Sequence, residues 1–293
     1  FQARYQDALP LYEKAVKSDK NNLAAQLKHA WAYYYLKNYS AAEKIFEQAL
    51  EGAKKSESVE ALYGMALSNY YQNKFDTAYS NFSKAIAVNP YYMDNIVLHG
   101  IIEKKPEWRK LWKDFGLAYK NIYVYNFAGS YYAALYKLDG YLRKVNAGDV
   151  EALIAEGWCN RGLGYLDKAL ESFNAALKLN AKADEAYVGI GSAYLAYNKP
   201  ADALNAFNQA LMINPQNAGA YNGLAYYHFA RKDEIKTMEA LQKSISINKN
   251  FYDSQAFIAN LLLQQKKYDE AIKEYEKLIE IDKSVIASWN MSG

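Results

Sequence analysis

Four side chains in this sequence are of the types that catalysis and metal binding use most often: Cys159, His29, His99 and His228. A cysteine nucleophile needs a histidine base beside it, and a metal centre needs several ligands within reach of one another. Cys159 has no histidine near it in sequence, and the three histidines lie far apart on separate segments. We therefore predict that the chain is not an enzyme and that it holds no metal and no cofactor.

The segment GIGSAY places Gly189 two residues before Gly191, a spacing that also opens the phosphate-binding turn of dinucleotide sites. Such a turn follows a strand and carries a third glycine, with an acidic residue about twenty positions further on. Here Tyr194 stands where the third glycine belongs, and apolar residues recur at helical spacing on both sides. The two glycines therefore indicate close helix packing.

Composition narrows the classes of protein that this chain can be. The 293 residues carry a net charge of only +3, which argues against a nucleic-acid binder that acts through bulk charge. One cysteine excludes an internal disulfide framework, and no apolar run approaches the roughly 20 residues that cross a bilayer. The 29 tyrosines are unusually many, so partners must be sought in local aromatic features.

A pattern recurs along the chain at an offset of 34 residues. With Asp184 as position 1, positions 8 and 20 are small in every repeat, and position 24 is bulky, as in Phe46, Phe173 and Phe207. The predicted organisation is an array at 1–92, a divergent segment at 93–149 and a second array at 150–293. The repeats are 23–56, 59–92, 150–183, 184–217, 218–251 and 252–285, with a half repeat at 1–22 and a partial helix at 286–293.

Each repeat reads as two helices joined by a short polar turn. A small residue on the first helix that faces a small residue on the second lets the two axes approach closely, so we predict that Gly191 lies against Ala203. Gly162 and Gly164 fall in the turn of their repeat, where positive φ is easy for glycine.

The divergent segment contains the basic and aromatic run KKPEWRKLWK. Pro106 ends one helix or starts the next, and Trp108, Leu111 and Phe115 follow helical spacing after it. An RNA or DNA patch and a membrane-surface helix are alternative interpretations. The neighbouring repeats supply as many acids as bases, so we favour ordinary packing and expect no nucleic-acid partner.

At these positions the sequence resembles the tetratricopeptide repeat family. Tyr187, Tyr221 and Trp289 supply the family's aromatic residue at position 4, and Tyr39 and Tyr268 supply the one at position 17. The resemblance implies an all-α fold, a right-handed superhelical solenoid of helix-turn-helix repeats with the divergent helical segment in the middle.

The resemblance also implies a concave groove that binds a protein or peptide segment through positions 2, 5, 9, 12 and 13 of the first helices. Large planar side chains gain contact area at low entropic cost, so an aromatic groove suits this role. The family's chaperone-docking variety holds a terminal carboxylate with a clamp of lysine and asparagine at positions 5 and 9, whereas repeat 218–251 has Asn222 and Tyr226 there. The predicted groove residues are Leu27, Trp31, Tyr34, Tyr35, Tyr63, Tyr70, Tyr71, Trp158, Arg161, Asn222, Tyr226, Phe229 and Asn260.

Three functions remain open. The first is a non-catalytic scaffold for protein-protein interaction. The second is a cell-envelope component, because similar tyrosine-rich arrays occur in bacterial assembly and polysaccharide-export machinery, and the third is regulation of an enzyme encoded elsewhere in a longer chain. Both ends fall inside repeats without a polar cap, so we expect a fragment of a longer array with possible self-association at its ends. The location is open between cytoplasm and bacterial envelope, with a slight preference for the envelope.

Overall fold

The structure is a computed structural model, and it is built of α-helices joined by short turns. Across the described residues one 3-10 helix interrupts the α-helices and no strand occurs, so the predicted all-α class is confirmed. The described residues are 2–53, 58–120 and 128–289.

The helices follow one another as the 34-residue pattern requires. From the start of the chain they are α1 (Gln2–Ser18), α2 (Leu23–Tyr35), α3 (Tyr39–Gly52), α4 (Ser58–Tyr71), α5 (Phe75–Val88), α6 (Pro90–Met93), α7 (Ile96–Lys104), the 3-10 helix (Pro106–Lys110) and α8 (Leu111–Lys120). They continue as α9 (Ala128–Lys144), α10 (Val150–Gly162), α11 (Leu166–Leu179), α12 (Asp184–Ala196), α13 (Pro200–Ile213), α14 (Ala218–Ala230), α15 (Glu234–Ile247), α16 (Tyr252–Gln264) and α17 (Tyr268–Trp289).

The contacts between helices divide the chain into two compact units. The first unit is Phe1–Ala118 with Ser284–Gly293, and the second unit is Tyr119–Lys283. Within each unit the two helices of a repeat are joined by only a few residues, so they fold back on one another as antiparallel hairpins. The division into two arrays and a divergent segment stays a prediction.

Each helix pair turns at one residue whose backbone is left-handed. This residue occupies position 15 of each of the six repeats, and φ there lies between 56° and 79°. A left-handed residue directly after a helix lets the last carbonyl groups find partners, so the same geometry ends every first helix. The residues are Lys37, Asn73, Gly164, Asn198, Lys232 and Lys266.

The prediction of positive φ is confirmed for Gly164 and wrong for Gly162. Gly162 is the last residue of α10, and a Cβ atom added there would lie 2.5 Å from the ring of Tyr131. Its small size therefore makes room for an aromatic side chain.

Replacing Gly164 by alanine is expected to lower the free energy of unfolding by about 1 kcal/mol or more. An L-residue held in the left-handed region costs roughly 1 to 2 kcal/mol, and φ at Gly164 is 79°. The measurement is urea denaturation followed by circular dichroism. The matched control is Gly100→Ala in α7, where an added Cβ meets nothing within 4 Å, and this change should be neutral or stabilising. Equal losses for both variants would contradict the argument.

The phenylalanine at position 24 fills the space between consecutive first helices. Phe207 is fully buried, and Cβ atoms built on Gly191 and on Gly223 would lie 2.5 Å and 2.3 Å from its ring. Phe173 is enclosed in the same way by Gly157 of its own repeat and Gly189 of the next, at 2.6 Å and 2.2 Å. Each ring therefore packs within its repeat and against the following one.

The prediction that Gly191 is small because Ala203 lies against it is wrong in its partner. The ring of Phe207 is the side chain that an added Cβ would meet first. Ala203 is fully buried in the same cluster, but a phenyl ring extends further from its helix than a methyl group does. Gly191 and Gly189 thus make room for phenylalanine rings and do not form a phosphate-binding turn.

One repeat reverses the sizes at this contact. Position 24 of repeat 218–251 is Leu241, and position 6 of the next repeat is Phe257, where three other repeats have glycine. Leu241 and Phe257 are buried in one cluster with Ala225. The bulky ring here lies on α16, the first helix of the following repeat, and the smaller side chain lies on α15, so close packing is kept.

The basic and aromatic run of the divergent segment packs into the first unit. Trp108 is 5% exposed, and its ring lies 5.9 Å from that of Tyr70 and 5.8 Å from that of Phe82. The ammonium group of Lys105 lies 3.5 Å from the centre of the Phe75 ring. These contacts are those of a core, and they favour packing over a nucleic-acid or membrane surface.

The end of the chain differs from the prediction. A partial first helix was expected at 286–293 after a turn near Asp282, whereas α17 runs without a break from Tyr268 to Trp289. The sequence there, EIDKSVIAS, lacks the asparagine, proline or glycine that separates other repeats, so nothing stops the helix. Gly293, expected at position 8 of that helix, lies outside the described residues.

Candidate functional site

Two adjoining cavities in the second unit form a concave surface. The larger has a volume of about 850 Å³ and is lined chiefly by α10, α12 and α14. The smaller, of about 490 Å³, is lined by α14 and α16. They share Tyr226 and Asp253, and we call the two cavities together the groove.

The groove follows the first-helix positions that the resemblance assigns to binding. In repeat 184–217 all five of these positions line the larger cavity, and in repeat 252–285 all five line the smaller. They are Glu185, Val188, Ser192, Leu195 and Ala196 in the former and Asp253, Ala256, Asn260, Leu263 and Gln264 in the latter.

The structure brings together the groove residues predicted in the second unit. Trp158, Arg161, Asn222 and Tyr226 line the larger cavity, and Tyr226 lines the smaller one as well. The smaller cavity is also lined by Phe229 and Asn260. The rings of Tyr226 and Phe229 remain 45% and 39% exposed.

The ring of Phe257 packs against both exposed rings. Its ring stacks on that of Tyr226 at 4.4 Å and meets that of Phe229 edge to face at 5.3 Å. Phe257 is itself buried, so two aromatic faces are held rigidly at the mouth of the smaller cavity. Rigid aromatic groups of this kind lose little entropy when they bind a partner.

Asn222 is held by a buried chain of hydrogen bonds. Its Nδ2 donates to Ser254 Oγ at 2.9 Å, Ser254 donates to Ser244 Oγ at 2.7 Å, and Ser244 donates to the carbonyl of Ala218 at 2.9 Å. The chain connects α14, α15 and α16 and fixes the asparagine in the groove wall. A buried polar network with satisfied members favours one arrangement of these helices.

Three of the five charged groups that line the larger cavity are engaged within the protein. Lys120 Nζ lies 3.8 Å from a carboxylate oxygen of Glu185, and Asp184 accepts hydrogen bonds from Asn214 at 2.7 Å and Asn217 at 2.9 Å. Lys120 and Glu185 therefore neutralise each other, and the two asparagine amides satisfy the carboxylate of Asp184.

The other two charged groups are Arg161 and Asp253. Among the described residues, neither side chain forms a hydrogen bond or an ion pair. Asp253 is open to solvent on the groove side, but the walls around it remove part of its hydration and raise its pKa, while Arg161 acts in the opposite direction. The same burial effect raises the pKa of Tyr226.

The indole nitrogen of Trp158 is a buried donor in the groove wall. Its Nε1 has no hydrogen-bond partner in the described part of the chain, and its ring packs edge to face on Phe173 at 5.6 Å. The Trp158 ring therefore packs against the core and also lines the larger cavity.

In the first unit the predicted groove residues are mainly engaged with one another. Leu27 and Tyr63 are buried, and the Tyr63 hydroxyl donates to Asn95 Oδ1 at 3.1 Å. Trp31 donates from Nε1 to Glu60 at 2.7 Å. Its ring meets those of Phe46 and Tyr63. These side chains hold repeats together.

The remaining predicted residues of the first unit form a half-exposed aromatic cluster. Tyr34 and Tyr70 are partly buried, whereas Tyr35 and Tyr71 are 44% and 48% exposed. Tyr35 stacks on Tyr5 at 4.6 Å, so only one of its ring faces is open. Substituting Trp31, Tyr34 or Tyr70 would therefore disturb packing as well as any binding.

Cys159 and His29 lie within the packing of their repeats, whereas His99 is partly exposed and pairs with Asp94. Cys159 is fully buried, and burial raises the pKa of its thiol to about 12, so the reactive thiolate is suppressed. Burial lowers the pKa of His29, whose ring contacts Tyr33. No cluster of three or more metal-ligating side chains occurs within the described ranges.

Sequence reasoning missed several contributors to the groove, among them Lys120, Tyr131, Phe251 and Asp253. Asp253 could have been found, because it occupies position 2 of its repeat. The other three come from the divergent segment and from a loop between repeats, where the repeat pattern assigns no binding position.

Among the described helices, none combines the length and the apolar character that crossing a membrane requires.

Solved structures with similar folds share little sequence with this chain. That of MamA shares 26% identity over 54% of this chain and 92% of its own, with a TM-score of 0.38. That of YrrB, described as a TPR protein with an unusual peptide-binding site, shares 21% over 71% and 95%, with a TM-score of 0.37. A tetratricopeptide repeat protein from Parabacteroides merdae shares 16% over 83% and 87%, with a TM-score of 0.46. No curated protein gives a significant match.

Models of one family match both units. Tetratricopeptide repeat models match residues 2–66, 60–90, 150–182, 188–234 and 252–285, which together exceed half of the chain. The helix pairs, the left-handed turn at position 15 and the ring at position 24 recur within these matches. The chain therefore belongs to the tetratricopeptide repeat family.

Proposed function

We propose that the groove of the second unit binds an extended segment of another protein and that the chain catalyses no reaction. Repeats of this family form protein-interaction scaffolds that bind proteins or peptides and are generally not enzymes. The observation that carries the proposal is the pair of exposed rings, Tyr226 and Phe229. Both line the smaller cavity and Tyr226 lines the larger one as well, and the two cavities are large enough for several side chains.

The character of the groove supports a polypeptide ligand. Aromatic walls supply contact area, and Asn222, Asn260 and Gln264 supply the amide groups that pair with a peptide backbone. The charged groups of the larger cavity are two bases and three acids, so the surface does not suit a polyanion. We therefore expect neither a nucleic acid nor a cofactor in the groove.

The alternative of a cell-envelope component stays a prediction, as does self-association through the ends of the array. Neither rests on a contact in the described residues. The half-exposed tyrosines of the first unit, Tyr35 and Tyr71, are a second surface that a long partner could use.

The test is selection of binding peptides from a library of random 12-residue sequences displayed on phage. A selected peptide is then titrated against the wild-type chain and the variant Tyr226→Ala/Phe229→Ala by fluorescence anisotropy. Loss of two aromatic anchors should weaken binding about tenfold or more, since truncating a hot-spot residue at the centre of an interface costs about 2 kcal/mol or more.

The matched control for this titration is Tyr136→Ala, on α9. Tyr136 is 77% exposed and lines neither cavity. Its loss should leave the affinity unchanged, and circular dichroism should show equal helicity in all variants. Equal affinity of the groove variant and the wild type, or failure to select any peptide, would contradict the proposal.

A further inference from the structure

The two cavities of the groove meet at one carboxylate. Asp253 lies in the first turn of α16 and lines both cavities, together with Tyr226. Any segment that runs from one cavity into the other must pass this side chain. Its chemistry therefore restricts which segments can pass.

Asp253 makes no hydrogen bond or ion pair with any described residue. Among the described residues it is the only charged one that lines the smaller cavity. In the larger cavity Asp184 is held by asparagine amides and Glu185 faces Lys120. An unpaired carboxylate in a partly dehydrated wall attracts a cation that can donate hydrogen bonds to it.

Arg161 is the other unpaired charge, and it faces only the larger cavity. A ligand cation at Asp253 avoids repulsion from Arg161 if it approaches from the smaller cavity. On the other side, Arg161 suits a backbone carbonyl or a carboxylate of the same segment. The two charges, Asp253 and Arg161, therefore favour one orientation of the bound segment along the groove.

The smaller cavity is shaped for an apolar side chain. Tyr226, Phe229 and Phe257 form an aromatic wall, and Leu261 and Leu263 complete it. A cavity of about 150 Å³ is enough to hold a benzene ring, so the 490 Å³ present here admits an aromatic or large aliphatic side chain with part of its backbone.

We infer that the partner segment carries a lysine or arginine beside an apolar anchor residue, with the cation on Asp253 and the anchor in the smaller cavity. This inference rests on the proposed function, because it specifies the ligand of the same groove. It makes Asp253 the residue that determines specificity, whereas the rings of Tyr226 and Phe229 supply most of the contact.

The experiment selects 12-residue peptides on phage against the wild-type chain and against Asp253→Lys. Peptides selected by the wild type should carry lysine or arginine within two residues of an aromatic or large aliphatic residue. Peptides selected by Asp253→Lys should carry aspartate or glutamate at that place. Asp269→Lys, at an exposed aspartate of α17 outside both cavities, should select the same peptides as the wild type.

Affinity measurements separate this inference from the proposed function. A peptide selected by the wild type should bind Asp253→Asn about tenfold more weakly and Asp269→Asn equally well. If Tyr226→Ala/Phe229→Ala weakens binding but Asp253→Asn does not, or if the selected peptides are acidic, the inference is wrong and the groove remains a binding site. If neither variant weakens binding, both the inference and the proposed function are wrong.

Discussion

Replacing Phe207 by alanine is expected to lower the free energy of unfolding of the second unit by about 3 to 5 kcal/mol. The ring is fully buried, and Gly191 and Gly223, which face it, have no side chains that could fill the space. The alanine variant therefore creates a cavity between two repeats. Urea denaturation followed by circular dichroism measures the loss.

Phe229→Ala is the matched control for this change. It also replaces a phenylalanine by alanine, but on α14, where the ring is 39% exposed and its loss leaves no enclosed cavity. The expected loss is smaller, about 1 kcal/mol, because less apolar surface returns to water. Similar losses in the two variants would show that the position-24 ring does not hold the repeats together.

Replacing Gly191 by leucine is the second change with a large expected effect. A Cβ atom at this position would lie 2.5 Å from Cε1 of Phe207, a distance at which the ring must shift. Overpacking of this kind costs about 1 to 3 kcal/mol, and the buried ring has little room to yield. The melting temperature should fall accordingly.

A double variant identifies the partner in the collision. Phe207→Ala removes the ring that the leucine meets, so Gly191→Leu/Phe207→Ala should be at least about 1 kcal/mol more stable than the sum of the single losses predicts. Strict additivity would indicate another partner, such as Ala203. Gly100→Leu, where an added Cβ meets nothing within 4 Å, serves as the control for the glycine change itself.

The sequence predicted the helices because small and bulky residues recur at fixed positions. It could not identify the neighbour of Gly191, because the reach of a phenyl ring across two helices depends on their separation. The glycines that face the ring of the preceding repeat, Gly189 and Gly223, were missed for the same reason. So was the exchange of sizes between Leu241 and Phe257.

The candidate site was predicted in part for similar reasons. First-helix positions identified Trp158, Asn222 and Tyr226, because the repeat fixes which face of each helix is concave. Exposure could not be predicted: Tyr63 occupies a groove position and is 8% exposed, since its neighbours cover it. Phe251 was missed because it enters the groove from a loop between repeats.

Site-specific photocrosslinking tests the central claim most directly. A benzophenone amino acid is placed at Leu263, which lines the smaller cavity, or at Met212, which is 76% exposed and lines neither cavity. Each protein is irradiated with a fluorescent peptide selected by the wild-type chain. Binding in the groove predicts a crosslinked peptide from position 263 and none from position 212. A crosslink from position 212 alone, or equal crosslinks from both positions, would contradict the groove as the binding site.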